Sequence, residues 1–478
     1  MSAIIRNSLR IANVTNFINS YSSGVGSLYL GIARPEYWYY STSQDTPVPN
    51  PYNNVISDDQ DWEDMMQLKI IPSGNMSYGI YKEMWTNNVK YDAYRHDWNG
   101  SRQSVYNGPN TSTYVPYPAD LSQAKYYVIS SLSYNIYICL QQSIINGVVQ
   151  PSTVNPDFGS NQGTTGVIQC SDGYYWKFIA NTGPSQLSQF STATYHPVST
   201  ITTTQTTNSP YFNQWTSQTN SATYKGGVYT VNVISGGTGY NAGAAGSAPL
   251  STNATITGDG TGIQGTITYG AGGSILSIQI TNPGTGYSYI DIIPTGGTGV
   301  VLDVIYTSMK GLGVDPVSDL NAFNCIINQS LISNESGVFT VTNSYRKVCL
   351  VSNPYTYNTT TIATATDLDA TISLVVSGGS YTPNEVVTDS VTGAKGIVID
   401  SGNGVVRVIR TSNENFSYAG GSTSFQAGST LQPSSGTISS ITEPTVAKYS
   451  GKIIYAEYRP ATLRTTGQTE NITVVLSF

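Results

Sequence analysis

The chain has 478 residues, only 10% of them are charged, and the formal net charge is −7 at pH 7. Soluble domains typically carry about 25% charged residues, so Ser, Thr, Asn and Gln must provide most of the polar surface. The negative balance argues against nucleic-acid binding, which requires basic residues to neutralise phosphates. The sequence contains no apolar run of about 20 residues, so we expect no membrane-spanning helix.

The first 21 residues predict an amphipathic helix. Ile4, Ile11, Val14 and Ile18 recur at helical spacing and share one face. The segment lacks the long apolar centre of a signal peptide. We therefore expect a protein that is not secreted through a cleaved leader.

Residues 60–224 predict a twisted antiparallel β core with a few short helices. The 36 tyrosines and 47 glycines of the chain favour strands and turns. The runs MMQLKII (65–71), YNIYICLQQ (134–142) and YYWKFI (174–179) are rich in β-branched or aromatic residues. The predicted fold class is mainly β, with a minor α+β character.

Two segments differ in composition from this core and predict small inserted β domains. Residues 225–307 hold short alternating strands cut by Gly-rich corners, and residues 368–442 hold three strand runs separated by turn signals. The looser stretch 416–436 predicts a loop. The corners ISGGTGY (234–240) and ITNPGTGY (280–287) place their tyrosines 47 residues apart, which predicts a duplicated hairpin unit.

These boundaries divide the chain into five segments. They are an N-terminal helix and β core (1–224), a Gly-rich inserted β domain (225–307), a continuation of the core (308–367), a second β insertion (368–442) and C-terminal core strands (443–478). In the continuation, the stretch from Asp315 to Leu331 predicts a helix that starts near Pro316 or Ser318. The chain closes in a predicted half-buried strand with alternating apolar residues: Ile472, Val474, Leu476 and Phe478.

The Gly-rich corners do not predict a nucleotide site. A phosphate loop needs a helix whose first amides face the phosphate, and usually a lysine. Both GTGY corners lead into further turns and strands instead. We interpret their glycines as hairpin-corner residues, because glycine adopts positive φ without strain.

Few residues suggest catalysis or metal binding, and we expect no cofactor and no metal. The two histidines, His96 and His196, occur without a Gly-x-Ser-x-Gly elbow. We expect both to be structural, with a catalytic triad as the alternative. The cysteines lack CxxC spacing, which predicts buried free thiols: Cys139, Cys170, Cys325 and Cys349.

The densest charge in the chain is an acidic cluster, and it predicts a solvated helix start where carboxylates favour the helix dipole. A calcium site is the alternative, although the segment lacks the ligand spacing of an EF-hand. The cluster consists of Asp58, Asp59, Asp61, Glu63 and Asp64.

Aromatic residues crowd the first hundred positions. Such residues dominate protein–protein interfaces because they bury large area at small entropic cost. Stacking of sugars is the competing functional interpretation, and filling of the β core is the structural one. The residues are Tyr37, Tyr39, Tyr40, Tyr52, Tyr78, Tyr81, Tyr91 and Tyr94, with Trp38, Trp62, Trp85 and Trp98.

Six short motifs follow one another along the chain. They are SLYLGIARPEYW, WEDMMQLKIIP, SDGYYWKFI, KGLGVDPVSDLNAF, YRKVCLVSNP and the closing GKIIYAEYRPATLRTTGQTENITVVLSF. The last contains Tyr-x-x-x-Arg-Pro at 455–460 and Gln-Thr-Glu-x-Ile at 468–472. In this order the motifs resemble the baseplate wedge protein, the gene-eight product, of T-even-like contractile-tailed phages. The fourth motif is similar to cyanophage versions, and the two β insertions depart from the family pattern.

This resemblance implies a structural protein without catalytic residues or cofactor. Family members are mostly β, form a homodimer and bind neighbouring wedge proteins in the tail baseplate of the virion, which is assembled in the host cytoplasm. The motif positions implied to be architectural or interfacial are Trp38, Trp62, Pro72, Asp172, Gly173, Tyr174, Trp176, Arg346, Asn353, Pro354, Tyr455, Arg459, Pro460 and Phe478. The alternative function is a carbohydrate-binding adhesin or tail-spike module, which the aromatic density and the Gly-rich insertions suggest.

Overall fold

The computed structural model describes residues 5–39, 42–95, 124–145, 148–161, 166–332, 344–409 and 424–478. The chain divides into two compact units. The first contains residues 1–14, 77–326 and 476–478, and the second contains residues 15–76 and 327–475. Within the described ranges, no helix has the length and apolar character needed to cross a membrane.

Helices are few and short. The described residues form α1 (Asn7–Ser22), α2 (Val55–Glu63), α3 (Pro184–Phe190), α4 (Phe212–Thr223), α5 (Leu250–Asn253) and α6 (Pro316–Asp319). Helix α1 confirms the predicted N-terminal helix, and Val14 is buried on it, whereas Ile4 lies outside the described residues.

The helix predicted within the stretch from Asp315 to Leu331, starting near Pro316 or Ser318, is confirmed as the short helix α6, which begins at Pro316. Only the turn α6 is helical, and a strand runs from Asn324 to Ile332. Asn321 has a φ of 53° and ends the helical path. The β-branched Ile326 and Ile327 are fully buried in the strand, so burial in a sheet decides the local structure after this short helix.

Strands make up most of the regular structure, which confirms the mainly β prediction. The first fifteen are β1 (Leu28–Ala33), β2 (Met65–Ile70), β3 (Met76–Tyr81), β4 (Tyr127–Ile129), β5 (Ile136–Gln141), β6 (Ile144–Ile145), β7 (Val148–Val149), β8 (Val167–Gln169), β9 (Tyr175–Ala180), β10 (Tyr195–Val198), β11 (Val228–Thr238), β12 (Gly246–Pro249), β13 (Ala254–Gly258), β14 (Thr261–Tyr269) and β15 (Ile275–Thr285). The remainder are β16 (Ile290–Pro294), β17 (Thr298–Tyr306), β18 (Asn324–Ile332), β19 (Tyr345–Ser352), β20 (Tyr355–Thr356), β21 (Asp367–Asp369), β22 (Ile372–Ser377), β23 (Val386–Asp389), β24 (Lys395–Gly402), β25 (Val405–Ile409), β26 (Thr430–Gln432), β27 (Gly436–Thr442), β28 (Val446–Ala447), β29 (Lys452–Thr462) and β30 (Thr469–Ser477).

In the first unit, an antiparallel sheet with the order β4-β5-β9-β8 buries the aromatic runs of the sequence. Strands β5 and β9 place Tyr137 opposite Phe178 and Cys139 opposite Trp176. All four side chains are essentially inaccessible to solvent. Their burial removes a large apolar area from water, which is the main driving force for forming this sheet.

The Gly-rich segment of the first unit contains an internal two-fold repeat. Its five-stranded sheet has the order β12-β14-β15-β11-β17, and β13 pairs with β16 beside it. Strands β11 and β15 pair at the centre, Val231 opposite Ile278, which are 47 residues apart. Strand β11 pairs outward with β17 just as β15 pairs with β14. The duplicated unit predicted from the GTGY spacing is therefore confirmed.

The two GTGY corners close this repeat with their tyrosine rings. Tyr240 and Tyr287 are each only 2% exposed. A Cβ on Gly297 would lie 2.5 Å from the Cγ of Tyr240, and a Cβ on Gly260 would lie 2.5 Å from the Cγ of Tyr287. Each ring thus packs on the glycine just before the strand that pairs with its own, Gly297 before β17 and Gly260 before β14, because only a residue without a side chain leaves room for it.

The corner amides are occupied by backbone carbonyls. Gly239 N–H donates to the carbonyl of Gly272 at 2.9 Å, and the equivalent Gly286 N–H donates to the carbonyl of Lys225 at 2.8 Å. A phosphate loop requires such amides to face a ligand. These contacts agree with the interpretation of the corners as structural.

In the second unit, an antiparallel sheet has the order β21-β2-β1-β19-β29. Every residue of β1 is buried, and so are the residues of β19 from Tyr345 to Val351. Tyr29, Trp62, Leu68 and Val351 belong to one apolar cluster on this sheet. Two central strands that are buried along nearly their whole length are expected where both faces of a sheet are covered.

The second unit also contains a closed six-stranded barrel with the order β22-β25-β24-β23-β26-β27. Its strands all lie between residues 372 and 442. The interior is filled by side chains such as Leu374, Val398 and Leu431. The loop predicted over 416–436 is partly wrong, since β26 and the start of β27 lie in it, whereas residues 416–423 lie outside the described residues.

Candidate functional site

Four of the six motif segments lie on neighbouring strands of the second unit. WEDMMQLKIIP supplies β2, SLYLGIARPEYW supplies β1, YRKVCLVSNP supplies β19, and the closing segment supplies β29. The backbone register places Leu30 opposite Leu350 and Leu350 opposite Tyr455. Segments more than 400 residues apart in the chain therefore meet in one sheet.

At one end of these strands lies a group of charged residues that we call the charged cluster. It consists of Arg34, Glu36, Asp61, Asp64 and Lys347. All of them are buried except Arg34, whose side chain is 13% exposed. Charges are rarely buried in proteins unless they are paired.

Lys347 is the centre of the charged cluster. Its Nζ lies 2.6 Å from the Oδ1 of Asp61 and 2.7 Å from the Oδ2 of Asp64. Burial alone would favour the neutral amine, but the carboxylates of Asp64 and Asp61 outweigh burial and raise the pKa of Lys347. The ammonium is therefore charged at neutral pH.

Asp64 joins Lys347 to the second cation of the cluster. The Nη1 of Arg34 lies 3.4 Å from the Oδ2 of Asp64, and the backbone N–H of Arg34 donates to the Asp64 carbonyl at 2.9 Å. Burial would raise the pKa of Asp64, but the charges of Lys347 and Arg34 overcome that effect and lower it. Asp64 is therefore ionised at neutral pH.

Glu36 is the member of the cluster whose charge is least supported. Its Oε1 lies 3.4 Å from the Nη1 of Arg34. Burial, followed by repulsion from Asp64, raises the pKa of Glu36 from its ordinary 4.5 to about 7, against the opposing charges of Arg34 and Lys347. This carboxyl group therefore changes its charge near neutral pH.

Two aromatic rings cover the cations of the cluster. The guanidinium of Arg34 lies 4.6 Å from the ring centroid of Trp38, and the Nζ of Lys347 lies 4.7 Å from that of Tyr458. The two rings contact each other at 4.9 Å. Tyr458 also donates its hydroxyl to the Oδ1 of Asp61 at 2.9 Å. Cation–π contacts of this kind strengthen when they are desolvated.

Two motif arginines, Arg346 and Arg459, contact residues beside the charged cluster. Arg346 Nη2 donates to the Oδ2 of Asp45 at 3.0 Å, and its guanidinium lies 4.9 Å from the ring of Tyr37. Trp38 Nε1 donates to the carbonyl of Arg459 at 2.9 Å. Each of these contacts joins the first forty-five residues to the C-terminal part of the second unit. The motif positions are thus architectural here.

The acidic cluster is only partly solvated, which corrects its interpretation as a solvated helix start. Asp58 and Asp59 are exposed on α2, and Asn54 caps this helix by accepting from the Ser57 N–H at 2.9 Å. Asp61, Glu63 and Asp64 are buried instead. Their helix end packs on the sheet, and Lys347 offsets the charge of Asp61 and Asp64. Among the described residues, no group of three or more His, Cys, Asp or Glu side chains is placed to hold a metal ion.

The Asp-Gly-Tyr-x-Trp motif forms a hairpin corner in the first unit. The Oδ2 of Asp172 accepts the backbone N–H groups of Thr153 and Val154 at 2.8 and 2.9 Å. Gly173 has a φ of 90°, which disfavours other residues. Tyr174 and Trp176 are fully buried, with ring centroids 5.7 Å apart. The motif positions a loop and fills a core.

The other motif positions have structural contacts. Trp62 is buried, and the Oδ1 of Asn353 accepts the Ser27 N–H at 2.8 Å. Pro354 is buried and accepts the Ala363 N–H at 2.8 Å. Pro72 is exposed just after β2, and Pro460 is exposed within β29. The backbone N–H of Phe478 donates to the carbonyl of Phe323 at 3.2 Å.

His196 is a buried residue of β10 in the first unit. Its Nε2 lies 2.7 Å from the hydroxyl of Thr182, and its ring stacks on Tyr134. Burial, with a smaller effect of Lys82, lowers the pKa of His196 to about 4. A neutral, stacked imidazole agrees with the predicted structural role. His96, Tyr40 and Trp98 lie outside the described residues.

All four cysteines are free and buried, which confirms the prediction from their spacing. Burial raises the pKa of Cys170 and Cys325 to about 12 and that of Cys139 and Cys349 further. Because the thiolate is the reactive form, we expect no cysteine of the folded protein to react with a disulfide reagent at pH 8. Absorbance of the released thiol measures this, with four equivalents expected in denaturant. One or more equivalents from the folded chain would contradict the burial of these thiols.

The raised pKa of Glu36 predicts a stability that falls as the pH rises. Below pH 4.5 the carboxyl group is protonated in the folded and the unfolded chain, and between 4.5 and about 7 mainly the folded chain holds the proton. This proton therefore stabilises the folded chain fully below pH 4.5, and the stabilisation is lost as the pH rises through about 7. We expect Glu36→Gln to remove a slope of at most about 1.4 kcal/mol per pH unit, measured by urea unfolding from pH 5 to 8.

The exposed Asp59 provides the control for this experiment. It lies on α2, close to the charged cluster along the chain but outside it. We expect Asp59→Asn to retain the slope that Glu36 causes, because Asp59 is exposed and forms no ion pair with the charged cluster. Equal pH profiles of the wild type and Glu36→Gln would show that Glu36 does not titrate near neutral pH.

Comparison with known proteins adds no relative. No protein-family model matches the chain, and no curated protein matches it significantly. The function must therefore be argued from the motifs and from the geometry of their residues.

The motif positions singled out from the sequence omit the residues of the charged cluster, although all of these except Asp61 lie within the motifs. The sequence pattern places Asp61 and Asp64 in a solvated helix start. Lys347 is adjacent to Arg346, which is the motif position in this run. A signal exists in the run YRKVCLV, because a lysine within a buried apolar strand requires an anionic partner. The identity of that partner could not be inferred from the local pattern.

Proposed function

We propose that this chain is a structural component of the baseplate wedge of a contractile phage tail. In this role it forms a homodimer and binds neighbouring wedge proteins of the virion during tail assembly. The proposal is carried by the ordered motifs. Four of them lie on consecutive strands, β2, β1, β19 and β29, and matches arising by chance have no reason to converge on one sheet.

The buried contacts of the motif residues support an architectural role. Arg346, Lys347 and Trp38 join separate chain segments through ion pairs, cation–π contacts and hydrogen bonds. Desolvated networks of this kind hold a fixed geometry because breaking one partner leaves a buried charge unpaired. A protein that is part of a permanent assembly benefits from such rigidity.

Cryo-electron microscopy of the virion that encodes this chain tests the proposal. We expect density for the chain in the tail baseplate, in contact with other wedge proteins. Finding it in tail fibres, or not finding it in the particle, would overturn the proposal. The fibre result would favour the alternative of an adhesin.

Light scattering of the purified protein tests the homodimer separately. We expect a mass of about twice the 51.2 kDa of one chain at micromolar concentration. Strand β29 is at the end of its sheet order within the described residues, and edge strands are ready surfaces for pairing with another chain. A mass of one chain over the whole concentration range would contradict the dimer.

A further inference from the structure

The second unit contains a cleft of about 870 Å³ outside the charged cluster. One wall is the loop 357–361, and the other is the segment 443–449. The two walls are joined where β20, just before the loop, pairs with β28 of the second wall. Ala370 and Ile372 contribute apolar surface to its lining and are buried. The volume falls in the range of about 300–1,000 Å³ that is usual for sites of small organic ligands.

Tyr449 presents an aromatic ring at this cleft. Its side chain is 49% exposed, and its backbone has a φ of 60°. A left-handed backbone is a genuine outlier for a bulky residue and is strained. Such strain persists where the surrounding structure imposes it, and it concentrates at ligand-binding sites. Tyr357 lines the same cleft, so aromatic residues occur on both walls.

The other lining groups are hydrogen-bonding groups of low net charge. Asn358 and Thr360 bring an amide and a hydroxyl, and Glu443 brings an exposed carboxylate. Lys448 donates its Nζ to the backbone carbonyl of Glu63 at 3.3 Å. Glu63 also lines the cleft. With two glutamates and one lysine in its lining, the cleft has a slightly negative formal charge. This balance disfavours phosphate and other anions.

A neutral sugar fits these features. Its ring has a face of C–H groups that can pack on an aromatic ring, and its hydroxyls both donate and accept hydrogen bonds. Tyrosine supplies such a surface at low entropic cost, and amide, hydroxyl and carboxylate groups complement the sugar hydroxyls. We propose that this cleft binds a short neutral oligosaccharide, with Tyr449 as the stacking residue and Asn358, Thr360 and Glu443 as hydrogen-bonding residues.

Titration of the full chain with neutral trisaccharides tests this site. Maltotriose, cellotriose and chitotriose are the probes, at up to about 10 mM, because isolated sugar sites bind weakly and a millimolar Kd corresponds to only about 4 kcal/mol. Saturation-transfer NMR detects binding, and a charged trisaccharide, trigalacturonate, is the anionic comparison. We expect saturable binding of at least one neutral probe and weaker binding of trigalacturonate.

Two variants localise the binding to the cleft. Tyr449→Asn removes the ring while keeping a residue that tolerates the left-handed backbone, and we expect it to weaken binding at least about tenfold, the equivalent of 1.4 kcal/mol. Thr360→Val removes one hydroxyl at similar size and should weaken binding by a smaller factor. Tyr52→Asn is the matched control, because Tyr52 is 72% exposed and does not line the cleft. Equal urea midpoints of the variants exclude unfolding as the cause.

Three results would overturn this inference: no saturable binding of any neutral probe, tighter binding of trigalacturonate, or equal affinities of the wild type and Tyr449→Asn. The site does not depend on the wedge proposal. Microscopy of the virion can place the chain in the baseplate whether or not the cleft binds sugar. Sugar binding by purified protein can likewise be measured wherever the chain is located.

Discussion

Lys347→Met is expected to lower the free energy of unfolding by about 3–5 kcal/mol. Methionine fills a similar volume but leaves Asp61 and Asp64 buried without the ammonium that lies 2.6 and 2.7 Å from them. Removal of one partner of a buried ion pair is costly because the remaining charge stays desolvated. Urea unfolding followed by tryptophan fluorescence measures the loss, since Trp38 and Trp62 lie in the same unit.

A triple variant and a surface lysine separate charge from packing in this experiment. Lys347→Met combined with Asp61→Asn and Asp64→Asn removes both carboxylate charges that lose the ammonium, and we expect it to recover a large part of the lost stability. Lys452→Met changes an exposed lysine of β29 and should alter stability by no more than about 0.5 kcal/mol. A triple variant less stable than Lys347→Met would show that electrostatic pairing is not the main contribution of Lys347.

Tyr240→Ala and Tyr287→Ala are each expected to cost about 3–5 kcal/mol, as for other large aromatic residues removed from a core. The two rings occupy equivalent places in the internal repeat and pack on Gly297 and Gly260. The corner of each repeat is closed by a backbone carbonyl of the segment that precedes the other repeat, Gly272 or Lys225. We therefore expect either variant to loosen both halves of the sheet.

Hydrogen exchange measured by mass spectrometry reports this loss directly, because amide protection follows the free energy of local opening. Peptides that cover β11 and β15 should lose protection in both variants and to a similar extent. Tyr289→Ala is the control, since that ring is 56% exposed and lies two residues from Tyr287. Loss of protection confined to one of the two strands would contradict a cooperative repeat.

The sequence predicted the features that depend on local pattern. Alternating and aromatic runs predicted the strands β5 and β9, the spacing of Tyr240 and Tyr287 predicted the repeat, and the spacing of the cysteines predicted free thiols. These predictions succeed because side-chain periodicity and turn chemistry act over a few residues. The start of a helix after Asp315 was predictable for the same reason, whereas its end after four residues was not, because burial of Asn324–Ile332 in a sheet depends on distant strands.

The candidate site was only partly accessible from the sequence. Trp38, Arg346 and Arg459 are motif positions, but the motifs do not predict that these three residues lie near one another in the folded chain. Asp61 and Asp64 looked like solvated carboxylates because an acidic helix start usually faces water. The cleft beside Tyr449 left no trace in the sequence, since its walls come from segments about ninety residues apart.

The sequence by itself determined that this is a mainly β protein with an internal Gly-rich repeat and buried thiols. Only the tertiary structure decided which charges are paired and which aromatic rings remain exposed. The physical reason is the range of the interactions. Strand and turn preferences are set by neighbouring residues. Lys347 and Asp61 are 286 residues apart in the chain, and their charges depend on burial that only the folded sheet provides.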